Sequence, residues 1–100
     1  MKIDIRSKDI VLNKPTQEQI RRKLKFALSR LEPYIKTISV YLSNISDSEH
    51  SNNNHCQLKI SVTNMPDVII EDIQVELSNV IDRVIQKATR IMNRKLEIEK

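Results

Sequence analysis

Glycine is absent from this 100-residue chain, although an average protein uses it at about 7% of positions. Any turn that needs a positive φ must therefore be made by asparagine or aspartate, the other residues that best tolerate that region. Such residues are concentrated in "SNISDSEHSNNNH", residues 43 to 55. This almost wholly polar stretch reads as a long, exposed and mobile loop at about 44–55. The same absence removes whole function classes. No glycine-rich loop can cradle a phosphate, so P-loop and dinucleotide-fingerprint enzymes are excluded.

The remaining chain divides by hydrophobic period. Ile3 and Ile5 alternate with charged residues and predict a short first strand. "PTQEQIRRKLKFALSRLEPY" opens with Pro15 and Thr16, a helix start, and Pro33 is expected to stop the helix. Ile20, Leu24, Leu28 and Leu31 give that helix one apolar stripe, with Ala27 beside it. "TISVYLS" alternates through Ile38, Val40 and Leu42, and "CQLKISV" through Cys56, Leu58, Ile60 and Val62. "DVIIED" predicts a fourth strand, whose run of three apolar residues leaves its register open. From about Glu76 the period is helical again, with Leu77, Val80, Ile81, Val84, Ile85, Ala88, Ile91 and Met92 on a broad buried face.

The order β-α-β-β-β-α predicts an α+β fold, a two-layer sandwich of two helices on one face of a four-stranded sheet. Strands one and two flank a crossover helix and should be parallel with a right-handed connection, while the others form antiparallel hairpins. One domain over 1–100 is expected, with a frayed C-terminus from about 96. No apolar run approaches the ~18 residues of a membrane span. "MKIDIRSKDIVLN" sets charges among its apolar residues and does not read as a signal peptide. A cytoplasmic protein with no membrane partner is expected.

The net charge is +4, which leans toward anionic partners. The positive charge is patterned. Arg83, Lys87, Arg90 and Arg94 are spaced four, three and four apart and form one stripe on a helix, about 16 Å long. Lys95 adjoins it. Three successive like-charge pairs cost about 1 kcal/mol together, and a solvated helix face usually mixes signs instead. The first helix carries Arg21, Arg22, Lys23, Lys25 and Arg30 against Glu18 and Glu32 alone. Two basic ridges lying side by side, with a groove between them, are expected to bind nucleic-acid phosphates. Phe26 falls on the outer side of the first helix among Arg22, Lys25 and Ser29. It either stacks on an RNA base or packs on the chain entering the helix.

Other constellations carry less. His50, His55 and Cys56 lie close in sequence, but two histidines on a polar loop with a cysteine at a strand start make a poor metal-ligand set. Asp47, Glu49 and His50 lack a predicted pocket that could tune them for acid–base work. No enzyme activity, cofactor or small-molecule substrate is expected, and Tyr41 reads as a cross-strand neighbour on the open sheet face. The lone Cys56 cannot form an internal disulfide.

The second helix also resembles the ribosome hibernation promoting factors and related ribosome-associated inhibitors, whose pattern there is "AIDxxxxKxxRxxxK". "VIDRVIQKATRIMNR" places Ile81, Asp82, Lys87, Arg90 and Arg94 at matching positions. "SRLEPYI" is similar to the family's ending of the first helix through Arg30, Leu31, Glu32 and Tyr34, and "VYLSN" and "MPDVII" follow in the family's order. Ala27 stands where a lysine is usual, Ser78 where a tyrosine is common, and Glu76 for an aspartate. The resemblance implies a fold similar to double-stranded-RNA-binding domains, of the family's short form. It also implies binding to the small ribosomal subunit and its rRNA, at the messenger and transfer RNA channel, which silences translation in idle, stressed or stationary-phase cells. The alternative is a protein-interaction module that uses the open sheet face, with the basic helices only solubilising.

Overall fold

A computed structural model describes residues 1–45 and 53–96. Its elements are β1 (Lys2–Lys8), α1 (Lys14–Leu28), β2 (Ile35–Ile45), β3 (Asn53–Val62), β4 (Val68–Gln74) and α2 (Leu77–Leu96). The fold is α+β in the order β-α-β-β-β-α. The sheet runs β1-β2-β3-β4, with β1 parallel to β2 and the two later pairs antiparallel.

Local chemistry sets the limits of α1. Asn13 caps it by accepting the Thr16 amide N–H on its side-chain oxygen at 2.9 Å, which satisfies one of the donors left over at a helix start. Pro15 then sits in the first turn, where no intrahelical N–H is required. At the other end the α-helix stops at Leu28, earlier than Pro33 itself. A proline ring collides with the carbonyl four residues back and turns the preceding residue away from α geometry. The chain consequently tightens into a 3₁₀ segment, Ser29–Tyr34, that still buries Leu31.

Alternation decides which side of each strand meets the helices. Ile38, Val40 and Leu42 of β2, Cys56, Leu58, Ile60 and Val62 of β3, and Val68 and Ile70 of β4 are all buried. Ile20 and Leu24 of α1 and Ile81, Val84 and Ile85 of α2 converge on Val40, Cys56 and Leu58. Both helices thus cover one sheet face and share one core. Ile69 and Ile73 point to the other face and are about half exposed, which resolves the register of β4.

One expectation from composition needs correction. Ser43–Ile45 and Asn53–His55 are paired strand residues, in the register Ser43↔His55, Asn44↔Asn54 and Ile45↔Asn53. The Asn44 side-chain amide donates to Asn54 Oδ1 at 3.3 Å. Polar cross-strand partners extend this hairpin where composition suggested loop. The rest of the expected mobile loop, residues 46–52, lies outside the described residues, as do 97–100 of the expected frayed terminus. Among the described residues, the positive-φ residues are Asp9 (63°) and Asn64 (61°). They are the residue types that the lack of glycine demands, and they serve the turns after β1 and between β3 and β4.

Candidate nucleic-acid interface

One flank of α2, beside its buried face, carries the basic stripe. Arg83, Arg90, Arg94 and Lys95 are exposed and Lys87 is partly covered. The stripe is not a uniform row of free charges. Arg83 Nε donates to Asp72 Oδ2 at 2.7 Å, and Lys87 Nζ stands 3.4 Å from the same oxygen. Lys87 also donates to the Glu71 carbonyl at 3.4 Å. Asp72 is two residues beyond Ile70, so strand alternation places it on the helix-facing side of β4. Its side chain is only 13% exposed.

The Arg83 hydrogen bond, the Ile73 amide N–H at 2.8 Å and Lys87 together hold the Asp72 carboxyl down to about 2, against the desolvation that opposes this. A carboxyl depressed in the folded state stabilises the fold above its unfolded value, near 3.8, and loses that contribution as pH falls toward 2. Acid unfolding of Asp72→Asn should therefore be flatter than the parent's between roughly pH 4 and 2, which a melting-temperature series across that range would read. Parallel curves for the two proteins would show that the ion pair contributes nothing to stability.

The stripe lies on the flank of α2 above β4, away from α1. Toward α1 the helix presents Ser78, Ile81 and Asp82 instead. Lys23 of α1 reaches across to Asp82 Oδ1 at 2.8 Å, and a cleft of ≈ 250 Å³ is lined by Thr16, Gln19, Ile20, Lys23, Leu77, Ser78 and Ile81. The two basic ridges therefore do not line a common groove. The helical period settles this: Asp82, one residue before Arg83, is turned about 100° from it and toward α1.

The basic residues of α1 and the 3₁₀ segment diverge too. Arg21 turns to β1, where its Nη1 donates to the Ile3 carbonyl at 2.8 Å. Arg22, Lys25 and Arg30 are exposed. No ion pair or side-chain hydrogen bond joins them, or Arg90, Arg94 and Lys95, to another described residue. Arg94 and Lys95 occupy the last turn of α2, where cations also complement the helix dipole. Sequence reasoning missed Asp72 as a partner because the register of β4 was open. Its spacing from Val68 and Ile70 was the available signal.

Phe26 is 86% exposed on α1, so it does not pack on the chain entering the helix. Phe26→Leu should leave the melting temperature nearly unchanged. If the ring stacks on a base, binding to RNA should weaken by about 1–3 kcal/mol. Unchanged RNA binding would make Phe26 an exposed apolar residue with no part in recognition.

His55 lies in β3, not in a loop, and its Nε2 meets Glu71 Oε1 across the strands at 2.7 Å. Burial, helped by the charge of Asp72, pushes the Cys56 thiol up to about 12, which leaves it protonated and a poor nucleophile. No cluster of three or more His, Cys, Asp or Glu residues suited to a metal ion occurs among the described residues. His50, Asp47 and Glu49 lie outside them. No helix among the described residues is long and apolar enough to cross a membrane.

No protein-family model and no curated protein matches the chain. Solved structures do. A ribosomal subunit interface protein from Coxiella burnetii superposes with a TM-score of 0.79 at 11% identity, covering 98% of this chain and all of the other. The N-terminal domain of Thermus thermophilus Protein Y gives 0.74 at 17% identity, covering 94% and 98%. At these identities the likeness establishes a shared fold over nearly the full length.

Proposed function

We propose that this chain is a ribosome hibernation factor. It binds the small ribosomal subunit through rRNA phosphates, at the channel used by messenger and transfer RNA, and silences translation by occupying it. No chemistry is involved, and the site of action is the cytoplasm of idle or stressed cells. The observation that carries the reading is the row Arg90, Arg94 and Lys95. Arg90 and Arg94 continue the stripe beyond the reach of Asp72, Lys95 adjoins it, and none of the three has an ionic partner among the described residues. Arg22, Lys25 and Arg30 add a second exposed set. A polyanion would turn their mutual repulsion into attraction and release counterions. The motif resemblance in α2 and the fold shared with a protein described as a ribosomal subunit interface protein support the same partner.

A second reading has its own observation. Tyr41, Ile45, Ile69 and Ile73 are exposed large apolar residues on the sheet face that the helices leave open. That face could serve a protein partner, with the basic helices only solubilising. Sedimentation of a lysate through sucrose at low and high salt separates the two. Co-migration with small subunits at low salt and release at high salt is expected. Migration free of ribosomes at both salts would remove the ribosome reading.

A further inference from the structure

Asp72 occupies a formed oxyanion site. Arg83 Nε at 2.7 Å and Lys87 Nζ at 3.4 Å converge on one carboxylate oxygen, Oδ2. Two cations one helical turn apart closing on one oxygen is also the arrangement by which a basic helix holds a phosphate. Here the anion comes from the neighbouring strand. Its other oxygen, Oδ1, is fixed by the Ile73 amide N–H at 2.8 Å, and Lys87 is further tied to the Glu71 carbonyl. The carboxylate is therefore anchored from below and presented to α2 by the rigid edge of the sheet. The stripe splits into two pairs of equal spacing and unequal availability, Arg83 and Lys87 engaged, and Arg90 and Arg94 open with Lys95 beside them.

We propose that Asp72 is a built-in competitor for RNA phosphate, which holds Arg83 and Lys87 in reserve and thereby limits the affinity of the basic helix. The inference rests on the RNA-binding reading above and concerns the regulation of that same site. RNA can recruit Arg83 and Lys87 only by displacing a carboxylate that is already desolvated and hydrogen-bonded, so the gain from a new phosphate contact is offset by the loss of an old one. The competition does not relax near neutral pH, because the Asp72 carboxyl is held near 2 and stays ionised. The consequence is moderate, reversible binding, suited to a silencer that must leave when messenger RNA returns.

Asp72→Asn is the direct test, since the amide keeps an oxygen for the Ile73 N–H while losing the charge. Binding of the full chain to a short mixed-sequence duplex RNA and to purified small ribosomal subunits is measured across a salt series. Asp67→Asn serves as the charge-matched control; Asp67 pairs with Lys59 at 3.6 Å, away from α2. Freeing two phosphate contacts should steepen the slope of log affinity against log salt by about 1.4–1.8 units in Asp72→Asn. Asp67→Asn should change it little, and the gain should vanish when Arg83→Gln and Lys87→Gln are added. Equal effects of the two aspartate variants would overturn the proposal, as would weaker binding by Asp72→Asn with an unchanged melting temperature, which would make Asp72 a positioning residue. A gain on duplex RNA without any binding to small subunits would uphold the competitor and reject the ribosome as partner.

Discussion

Replacing Arg90, Arg94 and Lys95 together with glutamine should abolish most ribosome binding while leaving the fold intact. Glutamine is close to arginine and lysine in helix propensity, and all three side chains are exposed with no ionic partner among the described residues, so little native structure is lost. Some helix-dipole stabilisation goes with Arg94 and Lys95, of a few tenths of a kcal/mol each at an exposed site. Relief of like-charge repulsion along the stripe offsets it. Binding is another matter. Each phosphate contact releases roughly 0.7–0.9 counterion, worth nearly one decade of affinity at 0.1 M salt, so three contacts amount to roughly two orders of magnitude. The matching variant of the other half, Arg83→Gln with Lys87→Gln, should show the opposite profile. It removes cations already engaged by Asp72, so binding falls little, but it strands a mostly covered carboxylate and stability drops. Small-subunit pelleting and thermal melts on both variants read the contrast. If the Arg90, Arg94 and Lys95 variant binds as tightly as the parent, the open half of the stripe is only a solvated helix face.

That contrast could not be drawn from the chain alone. The four-residue spacing of the stripe, its exposure and the buried face of α2 all follow from helical period, and period is a local property. The partner of Arg83 is set by tertiary register. Val68, Ile69 and Ile70 are three apolar residues in a row, and moving the register by one would carry Asp72 to the open face. Only pairing with β3, which opposes Asp72 to buried Cys56, fixes its direction. Lys23 and Arg21 behave alike. Each sits in a basic run, yet one turns to Asp82 of the neighbouring helix and the other to a backbone carbonyl of β1, choices that depend on where the helices come to rest on the sheet. The hairpin ends show the converse limit. Ser43 to Ile45 and Asn53 to His55 have loop-like composition, and cross-strand partners keep them extended. The absence of glycine was legible down to residue type, since Asp9 and Asn64 take the positive-φ positions among the described residues.

The salt response tests the occlusion mechanism as a whole, and the internal ion pairs change the count on which it depends. Of the ten basic residues assigned to RNA, Arg21, Lys23, Arg83 and Lys87 already have internal partners. Arg22, Lys25, Arg30, Arg90, Arg94 and Lys95 are left. A site that presents phosphates on several sides would let six divergent cations each meet one, which a single straight duplex does not. With a counterion-release slope of roughly −0.7 to −0.9 per phosphate, log affinity for the small subunit should fall against log salt with a slope of about −4 to −5. A fourfold rise in monovalent salt then lowers affinity by between roughly two and three orders of magnitude. Binding to an isolated duplex should be shallower, because fewer of the six can reach it. Occupancy of the channel adds a second expectation independent of the slope. Subunits already filled with messenger and initiator transfer RNA should exclude the protein at every salt concentration, and a binding series on empty and filled subunits measures both effects. A flat salt response would remove phosphate recognition as the source of affinity, whereas unhindered binding to filled subunits would move the site out of the decoding channel.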